Sequence, residues 1–278
     1  MNCSFCKNLW LVEAEKRLHR FRISRTLSWC SIPRPALDEH VYSSAPMTKR
    51  TIRHRVEHTT NKHSRAVFRD ETIVIRLAKG LSREEEKEHV QDLLDRMIKQ
   101  VEEEQEKILI NPFGKLLDSG ESATITLANG TKHCFALRPG QKTSIRRTTR
   151  GWNVTIGPNM RRKGLHRLLW KTLAAQELHR MEELVRKINN DTYGVNISKV
   201  KLQFASSQWG SCSYQGVIML NSALLFVDPK VMHYVIVHEL AHRKRADHSA
   251  QYWSWVQWAL PNYNKYRESL YDYRLPTI

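Results

Sequence analysis

The chain has 278 residues, of which 41% are hydrophobic, and its 45 Lys and Arg against 28 Asp and Glu give a net charge of +17. The apolar fraction is enough for a globular core, but no stretch reaches the roughly 18 uncharged apolar residues of a membrane-spanning helix. These features favour a soluble protein and exclude a membrane span. The positive charge would attract a nucleotide, a nucleic acid or an anionic membrane surface, or it serves solubility alone.

Five cysteines stand at positions 3, 6, 30, 134 and 212. Their odd number and irregular spacing argue against a disulfide framework and predict a reducing, cytoplasmic location. Cys3 and Cys6 form a C-x-x-C pair with no second pair at zinc-finger spacing, so they indicate a metal site only weakly.

Residues 1–58 are basic and show no clear periodicity, and we expect a poorly ordered extension. A secretory signal does not fit, because no apolar core of about 7–15 residues follows the first basic residue. An organellar transit peptide agrees with the Arg and Ser content but not with Glu13 and Glu15. Alternatively, Met47 and the basic run after it mark the start of the functional chain.

Residues 59–160 are predicted to be a β-rich amino-terminal part with one long helix. Two β-branched runs, 65–69 and 72–77, predict a hairpin. Ser82 and Glu85 have the spacing of a capping box and predict a helix over 83–106. Four more strand-like runs follow, with turns at Asn129-Gly130, Pro139-Gly140 and Arg150-Gly151; the runs are 123–128, 132–137, 143–148 and 152–156.

Residues 161–278 are predicted to be the metal-binding catalytic part and to form one compact unit with 59–160. Apolar residues at 3–4 spacing predict a helix over 163–190. Strands are predicted at 199–204 and 217–221. Ser249 is a candidate N-cap for a further helix over 250–260 that ends at Pro261.

The segment after Asp228-Pro229 carries the sequence His238-Glu239-Leu-Ala-His242. Asp is a favoured N-cap and Pro suits the first helical position, so a helix is predicted to begin here. Histidines at i and i+4 share one face of a helix, where both can bind one metal ion. Glu239 lies beside the first ligand and can accept a proton from a metal-activated water. His248 follows a short basic turn and is the candidate third ligand.

Residues 199–267 resemble the YgjP-like metallopeptidase domain, also called DUF45, a small gluzincin-type relative of the SprT-like proteases. The resemblance rests on Trp209-Gly210-Ser211-Cys212, on Leu220-Asn221, on 234–242, on His248-Ser249 with Trp253, and on Pro261 with Tyr263. It implies that His238, His242 and His248 bind Zn²⁺ and that Glu239 is the general base. It also implies an α+β fold, zincin-like, with a small mixed sheet packed on the H-E-x-x-H helix. The chain departs from the family at the turn Arg243-Lys244-Arg245, whose three cations could favour an anionic substrate.

Several neighbouring residues allow two interpretations. Trp209–Cys212 is more simply a structural turn with Trp209 in the core than part of the site, and Cys212 is not expected to act as a nucleophile. The strand 217–221 is either an edge strand that pairs with a peptide or an interior strand. His233 is expected to be a packed or surface histidine, because a catalytic zinc leaves its fourth position to water. The aromatic residues that follow His248 are expected to be core residues, with stacking on a ligand as the alternative; they are Tyr252, Trp253, Trp255 and Trp258.

The sequence therefore predicts a zinc-dependent hydrolase, first of all a metallopeptidase with a peptide or protein substrate. A nucleotide hydrolase that cleaves phosphoanhydrides at the same site is the first alternative, and a nucleic-acid-associated protease is the second. A non-catalytic binding module with a structural zinc ion ranks behind these, because such sites usually have four protein ligands. None of these motifs determines the oligomeric state.

Overall fold

A computed structural model describes residues 52–69 and 72–276, which form a mixed α+β structure. The chain divides into two compact units, and the boundary in the sequence lies between Lys107 and Ile108. The Cys3–Cys6 pair and Met47 lie outside the described residues, as does most of the predicted extension.

The first unit is a three-stranded sheet with one helix. Its elements are β1 (Arg53–His58), β2 (Arg65–Arg69), β3 (Thr72–Leu77) and helix α1 (Arg83–Glu106). The strand order is β1-β3-β2, with β3 antiparallel to β2 as predicted and parallel to β1. Ile73, Ile75 and Leu77 pack with Leu94 of α1 in a separate hydrophobic core.

Strand β1 differs from the prediction, which places residues 1–58 in a poorly ordered extension. Its sequence, Arg-His-Arg-Val-Glu-His, contains one apolar residue, Val56, which packs on the core of this unit with Ile52. A strand with so few apolar positions gives almost no periodic signal, so only pairing with β3 reveals it.

Helix α1 spans the predicted residues, and the predicted capping box forms at its start. Ser82 Oγ accepts a hydrogen bond of 3.3 Å from the backbone N–H of Glu85, and the Ser82 N–H donates one of 2.7 Å to Glu85 Oε2. The two bonds satisfy donors that the first helical turn otherwise leaves without partners.

The second unit begins with β4 (Ile108–Leu109), helix α2 (Gly114–Ser119) and a four-stranded sheet. The strands are β5 (Ser122–Thr126), β6 (Lys132–Pro139), β7 (Ser144–Thr148) and β8 (Gly151–Ile156), in the order β5-β6-β8-β7. The predicted turns at Asn129-Gly130 and Arg150-Gly151 join the antiparallel pairs β5–β6 and β7–β8. Gly130 has φ of 84°, a conformation that favours glycine.

Helix α3 (Arg162–Asp191) follows and closely matches the predicted range. It buries one long apolar face, which includes Leu165, Leu169, Leu173, Met181, Val185 and Ile188. Trp170 is 1% exposed and stacks on Phe204 at a ring-centroid distance of 4.8 Å.

A small mixed sheet comes next, formed by β9 (Lys199–Gln203), β10 (Gly210–Cys212) and β11 (Val217–Asn221). The order is β10-β11-β9, with β11 antiparallel to β10 and parallel to β9. Strand β11 is therefore interior, and the interpretation of 217–221 as an edge strand is wrong. The prediction of a turn at 209–212 is also wrong, because Gly210–Cys212 forms the edge strand β10.

The chain then forms a 3₁₀ helix (Ser222–Phe226) and three α-helices: α4 (Pro229–Ala241), α5 (Ala250–Ala259) and α6 (Tyr263–Leu270). Helix α4 contacts β10, β11 and both later helices. Strand β12 (Tyr273–Arg274) pairs with β4. Within the described residues, no helix has the length and apolar character to cross a membrane.

Candidate metal centre

Helix α4 is placed by its capping residue and by its apolar surface. Asp228 accepts a hydrogen bond of 2.7 Å from the backbone N–H of Lys230, and Pro229 occupies the first helical position. Most of the residues after position 230 are buried, so the helix lies inside the core. Burial extends to two polar side chains, His238 with 3% and Glu239 with 1% exposure.

The structure brings together the three histidines that the sequence predicted as ligands. One ring nitrogen from each of His238, His242 and His248 lies within 4.8 Å of the others. The Nε2 atoms of His238 and His248 are 3.4 Å apart. Two nitrogens that bind one tetrahedral zinc ion at about 2.0–2.1 Å are separated by about 3.3 Å. The donor set and its spacing therefore fit a zinc ion.

The orientation of His242 also fits a ligand. Its Nδ1 atom lies 3.3 Å from the backbone carbonyl oxygen of Arg245. When Nδ1–H donates to this oxygen, the lone pair is on Nε2, which becomes the ligand nitrogen. This bond ties the ring of the second histidine to the loop that leads to the third.

That loop is held by Asp247, the residue before His248. Its carboxylate accepts bonds of 3.0 and 3.1 Å from Arg245 Nε and one of 3.2 Å from the backbone N–H of Ser249. The hydrogen bond from Arg245 is the largest of the interactions that lower the pKa of Asp247 to about 2. The carboxylate therefore stays ionised and joins both sides of the loop.

The three cations after His242 have separate partners. Arg243 donates a hydrogen bond of 2.6 Å to the backbone oxygen of Tyr214, and the Lys244 ammonium lies 5.6 Å from the ring centroid of Trp255. Arg245 pairs with Asp247. The nucleotide alternative depends in part on a joint action of these cations on an anionic substrate, and their separate partners do not support that part.

Tyr252 of α5 lies among the three histidines and is 0% exposed. Its ring centroid is 4.7 Å from those of His242 and His248 and 5.4 Å from that of His238. The core interpretation of this aromatic group is therefore right for Tyr252. It fails for Trp258, which is 60% exposed.

Glu239 lies against the edge strand β10. A Cβ atom at position 210 would be 2.5 Å from Glu239 Oε1, closer than real Cβ atoms come to other atoms. Gly210 therefore makes room for the carboxylate by its lack of a side chain. The sequence predicts a structural turn at this glycine, and its place in Trp-Gly-Ser-Cys is the only signal of a role in the site.

Neither Cys212 nor His233 belongs to the histidine group, and no other His, Cys, Asp or Glu among residues 52–69 and 72–276 joins it. Burial, helped by the charge of Glu239, raises the pKa of the Cys212 thiol to about 12. The thiol is therefore protonated at neutral pH, which argues against a nucleophilic role. Trp209 is 5% exposed and belongs to the core, as predicted.

Comparisons with known proteins identify the family to which the chain belongs. The chain is similar to the crystal structure of the metallopeptidase zymogen of Pyrococcus abyssi abylysin, with 25% identity, a TM-score of 0.30 and coverage of 32% of this chain and 90% of that chain. A search of the curated proteins finds no match. The model of the YgjP-like, metallopeptidase domain family matches residues 62–273, most of the chain. The chain therefore belongs to the YgjP-like metallopeptidase domain family.

Proposed function

We propose that this protein is a zinc metallopeptidase with a zincin-like site, in which His238, His242 and His248 hold the metal ion and Glu239 is the general base. The observation that carries the proposal is the cluster of three imidazole nitrogens within 4.8 Å, beside a buried carboxylate on the same helix. Membership of a metallopeptidase family supports a peptide bond as the bond that is cleaved.

Zinc suits this donor set, because imidazole nitrogen is one of its preferred ligands and three protein ligands leave a position open. When bound, zinc acts as a Lewis acid on the scissile carbonyl and lowers the pKa of the attacking water. Imidazoles also bind other transition metals, so the identity of the ion is part of the test.

Glu239 moves the proton in this proposal. Its carboxylate accepts a proton as the oxygen of water adds to the carbonyl carbon of the substrate. The same carboxyl group then gives the proton to the amide nitrogen, so that the C–N bond breaks and an amine leaves. Burial at 1% exposure keeps bulk water from competing for this proton.

The edge strand β10 is the proposed binding site of the substrate backbone. Among the described residues β10 pairs with β11 alone, so its other edge can form main-chain hydrogen bonds with an extended peptide. Gly210 at its start lies directly against Glu239, which brings a peptide on this edge close to the base.

The test uses the purified full chain and three variants, Glu239→Gln, His248→Ala and His233→Ala. Metal content is measured by elemental analysis after zinc is supplied, and hydrolysis of casein and of nucleoside triphosphates is assayed on the same samples. We expect near-stoichiometric zinc in the wild type and Glu239→Gln, and loss of zinc in His248→Ala. His233→Ala is the control, because it changes a histidine of the same helix outside the metal group.

Casein should be cleaved by the wild type and the control and not by the other two variants. Full activity of zinc-loaded Glu239→Gln would refute the proposed base. Hydrolysis of nucleoside triphosphates without hydrolysis of casein would favour the nucleotide alternative. Bound zinc with neither activity would favour a binding module.

A further inference from the structure

One face of the sheet in the first unit is built largely from arginine. Side chains alternate between the two faces of a strand, and Ile73, Ile75 and Leu77 face α1. The residues between them in β3, and those opposite in β1 and β2, therefore point away from α1. This surface, here called the arginine face, carries Arg53, Arg55, Arg65, Arg69 and Arg76.

The strand register arranges these arginines as a grid. Arg53 and Arg69 lie on either side of Thr72, and at the other end Arg65 is opposite Arg76. Residues two apart in a strand are separated by about 6.6 Å, and the two outer strands by about 9.6 Å. Five guanidinium groups therefore project from an area of roughly 13 by 10 Å.

Among the described residues, acidic side chains neutralise only part of this charge. Glu57 is the one acidic residue that the described strands place on this face, and it pairs with Arg55 at 3.1 Å and Arg76 at 2.9 Å. Arg53, Arg65 and Arg69 are exposed and form no ion pair with any described residue. Within residues 52–69 and 72–276, three cations of the face thus have no acidic partner and can bind a polyanion.

The chemistry of the face favours nucleic acid over a lipid surface. Every cation on it is arginine, whose planar guanidinium binds a phosphate through two hydrogen bonds and stacks on bases. Binding at a membrane surface is strengthened by large apolar side chains that enter the lipid, and the described strands place only Val67 and Val74 as apolar residues on this face.

The length of the face and its three strands favour one nucleic-acid strand over a duplex. A length of roughly 13 Å is much less than the 34 Å of a duplex turn, and a three-stranded sheet is broader than the two-stranded ribbon that the major groove admits. We propose that the arginine face binds single-stranded nucleic acid through its phosphates and stacked bases. This binding site lies outside the metal centre and does not depend on the proposed peptidase activity.

The experiment measures binding of the full chain to fluorescent oligonucleotides of about 20 nucleotides, by anisotropy over a range of salt concentrations. Single-stranded and duplex forms are compared, together with vesicles of phosphatidylcholine and phosphatidylserine. The test variant is Arg53→Ser/Arg65→Ser/Arg69→Ser. The matched control, Lys132→Ser/Arg138→Ser/Arg146→Ser, removes the same charge from the outward face of the β5–β8 sheet, where these residues are also exposed.

We expect the test variant to bind a single strand at least about 10-fold more weakly, with a salt slope smaller by about 2, since each phosphate contact contributes about 0.7. The affinity of the control for a single strand should fall by less than about 3-fold. Both variants should keep the hydrolytic activity of the wild type. A second variant with lysine at the three test positions should keep the salt slope of the wild type, because the charge is unchanged. It shows whether weak binding of the serine variant comes from lost charge or from a defect in folding.

Three results would overturn the proposal. Equal losses of oligonucleotide affinity in the test variant and the control would show that binding depends on net charge alone. Tighter binding to the duplex than to the single strand would refute the preference for one strand. Binding to anionic vesicles without binding to oligonucleotides would make the face a membrane-binding surface.

Discussion

The hydroxyl group of Tyr252 donates a hydrogen bond of 2.9 Å to the backbone carbonyl oxygen of His238. This carbonyl belongs to the last turn of α4, where helical oxygens have no partner within the helix. The same tyrosine ring contacts all three histidines. Helix α5 thus fixes the end of the metal-bearing helix and the three rings through one buried side chain.

Tyr252→Phe should keep the ring and lose the hydrogen bond. An unsatisfied buried carbonyl costs about 1–3 kcal/mol, so the free energy of unfolding should fall by this amount. Zinc affinity should fall by about 10-fold or more, because the histidines lose part of their support. Urea denaturation with chelator present and competition for zinc with a chromophoric chelator measure the two effects. Tyr214→Phe is the control, since that side chain is 93% exposed; equal behaviour of the two variants would show that the bond does not support the site.

Gly210→Ala should displace the Glu239 carboxylate, because the new Cβ would lie 2.5 Å from its Oε1 atom. We expect casein hydrolysis to fall by about 100-fold, within the range that a general base contributes, while zinc content is unchanged. Gly164→Ala is the control, because its Cβ would meet only the flexible end of Met160. Activity of Gly210→Ala at the wild-type level would contradict the close approach of β10 to the base.

Cys212 should resist alkylation in the folded protein. Burial raises the pKa of this thiol to about 12, so almost none of it is thiolate near neutral pH. Iodoacetamide treatment followed by peptide mass spectrometry should label the exposed Cys134 and spare Cys212 until urea unfolds the chain. Cys212→Ser should retain hydrolytic activity. Rapid labelling of Cys212 with loss of activity would instead reopen a catalytic role for the thiol.

His166 should make stability depend on pH. Burial, aided by the charge of Arg162, lowers its pKa from 6.5, and its Nε2 atom accepts a hydrogen bond of 3.0 Å from Trp170 Nε1. The unfolded chain takes up a proton below pH 6.5, whereas the folded chain does so only at lower pH. The free energy of unfolding should therefore fall as the pH drops from 6.5 towards the lowered folded pKa.

The comparison with His166→Gln isolates this effect, because glutamine can still accept the bond from Trp170. Urea denaturation is measured with chelator present between about pH 7.5 and 5.5. The free energy of unfolding of the wild type, relative to that of His166→Gln, should decrease as the pH falls. A constant difference across this range would mean that His166 titrates alike in both states.

Local signals in the sequence predict α1, α3, α4, α5 and three hairpins, because caps, turns and apolar spacing act over a few residues. The same signals missed β1 and β10. In each case the strand is short or poor in apolar residues and is defined by its pairing with a distant strand, β3 or β11. Pairing between distant segments leaves no periodic pattern in one sequence, so neither strand could be predicted from its own residues.

The sequence by itself determined the chemistry of the candidate site. The i, i+4 spacing of His238 and His242 and the place of Glu239 between them follow from helix geometry alone. Only the tertiary structure decided what surrounds that chemistry. The folded chain brings His248 within 3.4 Å of His238, lays Gly210 against Glu239 and sets Tyr252 among the histidines. These contacts join separate elements, and their geometry is set by how the helices and the mixed sheet pack around the buried face of α4.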